Sequence, residues 1–171
     1  MNHERPPKTD EWFTPQYIFD ALDVTFDLDV CGSSNNPHQC VPAKRYIDSL
    51  SLIQPWEGFI WMNPPFGGRN GIVPWMERFI DHGNGICLTP DRTSAPWWQL
   101  MASSASAITF VSPKIHFIDA NGNKGKSPSV GTCLFSIGYR GACLLMDADL
   151  GFSVFTSKHK KASKPTSGNE A

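Results

Sequence analysis

Residues 58–62 (GFIWM) form an unbroken apolar run that halts at Asn63-Pro64-Pro65-Phe66. A run of that length reads as a strand buried on both faces, ended by two prolines that have no N–H for the ladder. The pattern recurs. Residues 85–88 (GICL) run into Thr89-Pro90-Asp91-Arg92, and residues 26–31 (FDLDVC) run into Gly32-Ser33-Ser34-Asn35-Asn36-Pro37. Residues 107–111 (AITFV) read as a further strand and 45–48 as a short one. Helical signals lie between these runs. Residues 15–22 start behind Thr14 as N-cap with Pro15 at the first helical position. Residues 74–81 turn Trp75, Met76 and Phe79 inward, and 95–104 form a third helix. Residues 115–118 and 133–137 flank a Gly/Asn/Lys-rich stretch as two arms of a hairpin, and 142–146 add a last strand.

Short apolar strands alternating with helices predict an α/β fold, with parallel strands in its first half and an antiparallel hairpin at one edge. Ligands of open α/β sheets bind beyond the carboxyl ends of the strands. The loops at 31–37, 63–69 and 89–93 are therefore expected to line a single cleft.

The 171 residues suit one domain, read as 10–156 between a tail at 1–9 and a basic tail at 157–171. Fifteen Lys+Arg against sixteen Asp+Glu exclude a binder that relies on bulk positive charge, and 12% aromatic residues exclude a disordered chain. A shaped site must do the binding. Five cysteines without a CxxC pair, and no apolar N-terminal stretch, predict a reduced, cytoplasmic protein. No apolar run approaches the ~20 residues of a membrane-spanning helix.

Asn63-Pro64-Pro65-Phe66 carries the clearest chemistry. Two prolines hold the backbone extended and remove its donors, which leaves the Asn63 and Pro64 carbonyls free as acceptors. The Asn63 amide oxygen is a third acceptor, and Phe66 offers a flat face. Acceptors beside an aromatic platform suit a planar group bearing an exocyclic NH₂. Hydrogen bonds from that NH₂ draw its nitrogen out of conjugation and free the lone pair to attack a methyl donor. Such a site works by position and electrostatics, without a strong base.

Asn-Pro-Pro-Phe resembles the catalytic (N/D/S)PP(Y/F) motif of S-adenosylmethionine-dependent amino-methyltransferases. More of the chain is similar to the phage-type, Dam-like DNA N6-adenine methyltransferases. The matching blocks are Asp10-Glu11-Trp12-Phe13-Thr14-Pro15, Phe26-Asp27-Leu28-Asp29-Val30-Cys31-Gly32-Ser33 and Trp61-Met62-Asn63-Pro64-Pro65-Phe66. They continue with Leu88-Thr89-Pro90 and Trp97-Trp98, then Ile108-Thr109-Phe110 followed by Lys114-Ile115-His116-Phe117. The resemblance implies a compact Rossmann-like methyltransferase sheet, S-adenosylmethionine as cofactor and DNA as partner, in a phage or prophage modification enzyme of the bacterial cytoplasm. No obligate protein partner is evident.

Carried over, the resemblance implies that Asn63, Pro64, Pro65 and Phe66 hold a flipped adenine. Trp12, Thr14, Pro15, Asp29 and the Cys31-Gly32-Ser33 turn would hold the methyl donor. Flipping is required wherever the target base lies inside a duplex. That turn has one glycine, in CGSSNN, and the stretch from Asp29 to Asn63 is short, so the sheet is abbreviated there. Asp48 is the candidate acid for the donor's ribose hydroxyls, with a solvated surface Asp as the plain alternative.

Arg69, Lys114 and His116 are the candidate substrate contacts, with Lys124 and Lys126 nearby; scattered lysines are otherwise a solvated face. Trp97-Trp98 fits helix packing better than base stacking, and Asp91-Arg92 fits either the cleft or an exposed ion pair. Cys31, His38 and Cys40 lack a suitably spaced fourth ligand, so no metal is expected. Two alternatives stay open: an amino group on RNA or a protein amide as acceptor, and a DNA-binding domain without catalysis.

Overall fold

In the computed structural model the described residues are 12–66 and 71–156. The chain opens with strand β1 (Trp12–Phe13), helix α1 (Gln16–Leu22) and strand β2 (Leu28–Asp29). A 3₁₀ turn (Ser51–Ile53) leads to β3 (Ile60–Met62), α2 (Val73–His82), β4 (Gly85–Pro90), α3 (Pro96–Ser104) and β5 (Ala107–Val111). Then follow β6 (Ile118–Asp119), β7 (Thr132–Ile137), α4 (Tyr139–Asp147) and β8 (Gly151–Phe155).

Six strands form one mixed sheet in the order β2-β3-β4-β7-β5-β8. The steps β2–β3 and β3–β4 are parallel, and those from β4 to β7, β7 to β5 and β5 to β8 are antiparallel. Since β7 reverses between them, β4 and β5 point the same way. The carboxyl ends of β2, β3, β4 and β5 thus share one edge.

Both sheet faces are buried, which explains the unbroken apolar runs. Ile60, Met62, Cys87 and Phe135 face one core with Met76 and Phe79 of α2 and Trp98 and Met101 of α3. Phe59, Trp61, Ile86, Leu88 and Leu134 face the other with Ile18, Phe19 and Leu22 of α1 and Ala142 and Leu145 of α4. Alternate residues of one strand therefore serve opposite cores.

The expected edge hairpin does not form. β7 lies inside the sheet, with Cys87 opposite Phe135 on one side and Ile108 opposite Phe135 on the other. All six of its residues are buried, and it is paired along both sides. Ile118 and Asp119 instead pair with Phe13 and Trp12. Residues 142–146 are helical, because Gly141, Ala142 and Leu145 bury at helical spacing while Met146 stays exposed. The last strand is β8. Residues 45–48 contribute an isolated parallel bridge from Tyr46 to Asp29. Helix α1 starts one residue later than expected: Pro15 is its extended N-cap and no side chain caps it.

Candidate active site

Where β2, β3 and β4 end, their polar loops open on a shared cleft of about 1460 Å³. Cys31-Gly32-Ser33, Asn63 to Phe66 and Arg92 line it from the three strand-end loops. The third loop starts later than expected, because Thr89 and Pro90 belong to β4, and Pro90 lines the cleft from the strand end. The cleft exceeds the roughly 300–1,000 Å³ of a pocket for one small molecule.

Asn63 follows directly on β3 and is half-buried; Pro64 is buried, and Phe66 is exposed at the cleft wall. The Asn63 Nδ2 donates to Thr14 Oγ1 at 3.3 Å. Thr14 is itself buried, at the junction of β1 and α1.

Asp29, at the end of β2, is only 2% exposed. Its Oδ1 accepts the Cys31 backbone N–H at 3.0 Å, and its Oδ2 accepts the Gln39 side-chain amide at 3.2 Å. Burial pushes its carboxyl up to about 7, the Cys31 N–H opposing this and the nearby Asp48 charge reinforcing it. Burial also pushes the Cys31 thiol well up, and Asp29 adds to the effect. The thiol stays protonated, which disfavours it as a nucleophile.

Gly32 sits under Tyr46: a Cβ there would lie 2.9 Å from Tyr46 Cβ. Asp48 lines the cleft and accepts both the backbone N–H and the hydroxyl of Ser34, bonds that hold its carboxyl below the usual range.

Trp12, Thr14 and Ser33 also line the cleft, whereas Pro15, the N-cap of α1, is not among its lining residues. Lys114 Nζ donates to the Pro128 and Ser129 carbonyls at 3.2 and 3.3 Å, and His116 Nδ1 lies 3.1 Å from the Gly125 carbonyl. Both therefore brace the 125–130 loop. Among the described residues the cations that line the cleft are Arg92, Lys124 and Lys126; Arg69 lies outside them. The two tryptophans divide their work: Trp97 lines the cleft, and Trp98 is buried edge-on against Phe135 at 5.3 Å. Among the described residues no three His, Cys, Asp or Glu side chains converge as a metal site would need.

Gln39 and Phe117 also line the cleft. Phe117 belongs to the Lys114-Ile115-His116-Phe117 block that carries part of the resemblance. Gln39 had no local signal, since its meaning comes from a contact with Asp29 that only the folded loop creates.

A family model described as DNA N-6-adenine-methyltransferase (Dam) matches residues 2–140. No curated protein and no solved structure matches the chain significantly. That match covers most of the chain, including β2, β3 and the cleft loops, and on it the chain belongs to the DNA N-6-adenine-methyltransferase (Dam) family.

Proposed function

We propose that this protein transfers a methyl group from S-adenosylmethionine to N6 of adenine in DNA. One observation carries the reading: the acceptor-rich Asn63-Pro64-Pro65-Phe66 turn and the buried Asp29 carboxyl line the same cleft. The parallel β2-β3-β4 half of the sheet is taken as a Rossmann-like donor-binding unit.

The residues at the β2 end fit the donor. Asp29 and Asp48 bring two carboxyls to a cleft whose wall at Gly32 has no space for a side chain. In this reading Asp29 and the 31–33 turn hold the amino-acid end, and Asp48 holds the ribose hydroxyls. When bound, the donor supplies an electrophilic methyl group.

The chain's own residues prepare the acceptor. Asn63 Oδ1 and the Pro64 carbonyl take the two amino hydrogens of adenine and leave the nitrogen lone pair free for in-line attack. Phe66 stacks on the purine and holds it in register. As the N–CH3 bond formed, the donor's S–CH3 bond would break and leave a neutral thioether. The amino nitrogen, made cationic, would release its proton to water, so no residue has to deprotonate the amine first. Arg92, Lys124 and Lys126 meet the DNA phosphates. The family resemblance supports a modification enzyme of phage or prophage DNA, acting in the host cytoplasm.

Incubation with labelled S-adenosylmethionine and unmethylated DNA, digestion to nucleosides and separation tests this reading. Label is expected in N6-methyladenine and lost in Asn63→Ala, with donor binding retained. Label on no base, or undiminished label in the variant, overturns it.

A further inference from the structure

A carboxamide has two chemically opposite ends, and only its oxygen can accept a hydrogen from an adenine amino group. If Asn63 orients the base, something must hold the nitrogen end away from it. In the structure that nitrogen, Nδ2, donates to Thr14 Oγ1 at 3.3 Å. The two residues stand 49 positions apart, so the contact is made by the fold and not by local chain geometry.

Thr14 is built to keep the bond. It is 2% exposed, and the β1–β6 pairing of Phe13 with Ile118 anchors the chain just before it. Just after it, Pro15 fixes the turn into α1 with an extended backbone. A β-branched side chain in that setting has little rotamer freedom. The expected use of the hydroxyl, capping α1, does not occur. It is turned toward Asn63 instead.

We propose that Thr14 is a positioning residue for the transfer, acting through Asn63 by holding its amide nitrogen so that Oδ1 faces the acceptor amine. This rests on the function proposed above. It differs from the donor-contact role that the family resemblance implies for Thr14.

The test uses the full chain with Thr14→Val, Thr14→Ser and Asn63→Ala, measuring kcat, KM for DNA, donor Kd by calorimetry and the thermal midpoint. Thr14→Val keeps the shape and removes the acceptor, so kcat at saturating donor and DNA should fall about ten-fold, because a small misplacement of a reacting group is costly. Donor Kd should stay within about two-fold, the split expected when an interaction acts in the transition state alone. Thr14→Ser should recover most of kcat.

A Thr14→Val enzyme with unchanged kcat overturns the proposal. So does a loss confined to donor Kd, which would make Thr14 a donor contact, or a Thr14→Ser enzyme no better than Thr14→Val. Should Thr14→Val lack a cooperative thermal transition, Thr14→Ala is read by the same criteria. Full turnover in Asn63→Ala would overturn the proposed chemistry itself; an inactive Asn63→Ala beside a fully active Thr14→Val removes only the role of Thr14.

Discussion

Gln39 donates from Nε2 to Asp29 Oδ2 at 3.2 Å while its Oε1 accepts the Val41 N–H at 3.1 Å. The Val41 bond orients the Gln39 amide so that its N–H end meets Asp29. Even with this donor and the Cys31 N–H, burial dominates and the carboxyl titrates at about 7.

Stability should accordingly fall as pH rises from about 4 to about 7, by on the order of a few kcal/mol at ~1.4 per unit. The sign follows from proton counting. Between the unfolded and folded values the native Asp29 holds a proton that the unfolded chain has lost, so raising pH favours unfolding. Above about 7 this contribution is level. Urea midpoints from pH 4 to 8 should show the slope in the wild type, and Asp29→Asn should remove that part of it. Parallel profiles for the two proteins would contradict the assignment.

Phe66 is 40% exposed at the cleft wall, and the proposed function has it stack on the target base. Base–aromatic stacking contributes about 1–3 kcal/mol, so Phe66→Ala should raise KM for DNA roughly five- to a hundred-fold. Phe66→Tyr, which keeps the ring, should stay near wild type. Steady-state kinetics on one oligonucleotide distinguishes the two variants.

Arg92, Lys124 and Lys126 give this chain cationic groups at the cleft despite its net charge of −1. Replacing each with Ala should weaken DNA binding evenly across sequences. Wherever the replaced cation had neutralised a phosphate, the slope of log K against log salt should also fall by about 1. Fluorescence anisotropy over a salt series measures it. An unaltered slope in all three variants would remove them from the DNA interface.

Trp97 and Trp98 are adjacent in sequence but should behave oppositely. Trp98 is buried against Phe135 and Phe110, so Trp98→Ala should cost about 3–5 kcal/mol in denaturant unfolding. Trp97 is half-buried along the cleft, and its replacement should cost under about 1 kcal/mol while altering ligand binding.

Gly32→Ala would place its new Cβ 2.9 and 3.0 Å from Tyr46 Cβ and Cδ1. Tyr46 cannot swing away freely, since its hydroxyl donates to the Val41 carbonyl at 2.7 Å. Overpacking of this kind costs about 1–3 kcal/mol, and the displaced 31–33 turn should also weaken donor binding. Urea unfolding and calorimetry test the two effects separately.

What the amino-acid sequence determined by itself were the features set by local chemistry. The apolar runs at 58–62 and 85–88 supply the buried strands β3 (Ile60–Met62) and most of β4 (Gly85–Pro90), because they hold no charged side chain. Pro64 and Pro65 carry no ladder donor, which keeps β3 from continuing past Asn63. The convergence of the strand-end loops followed from parallel strands sharing one direction. The tertiary structure decided everything that depends on distant partners. An apolar strand such as β7 fits an edge or the middle of a sheet equally well by pattern, and only competition among all strands put it between β4 and β5. Residues 142–146 were too short an apolar run to show their period until a core existed to bury Gly141, Ala142 and Leu145. The raised Asp29 carboxyl and the Thr14–Asn63 bond have the same origin: burial and long-range hydrogen bonding belong to the packed chain, and neither is encoded in the few residues around each site.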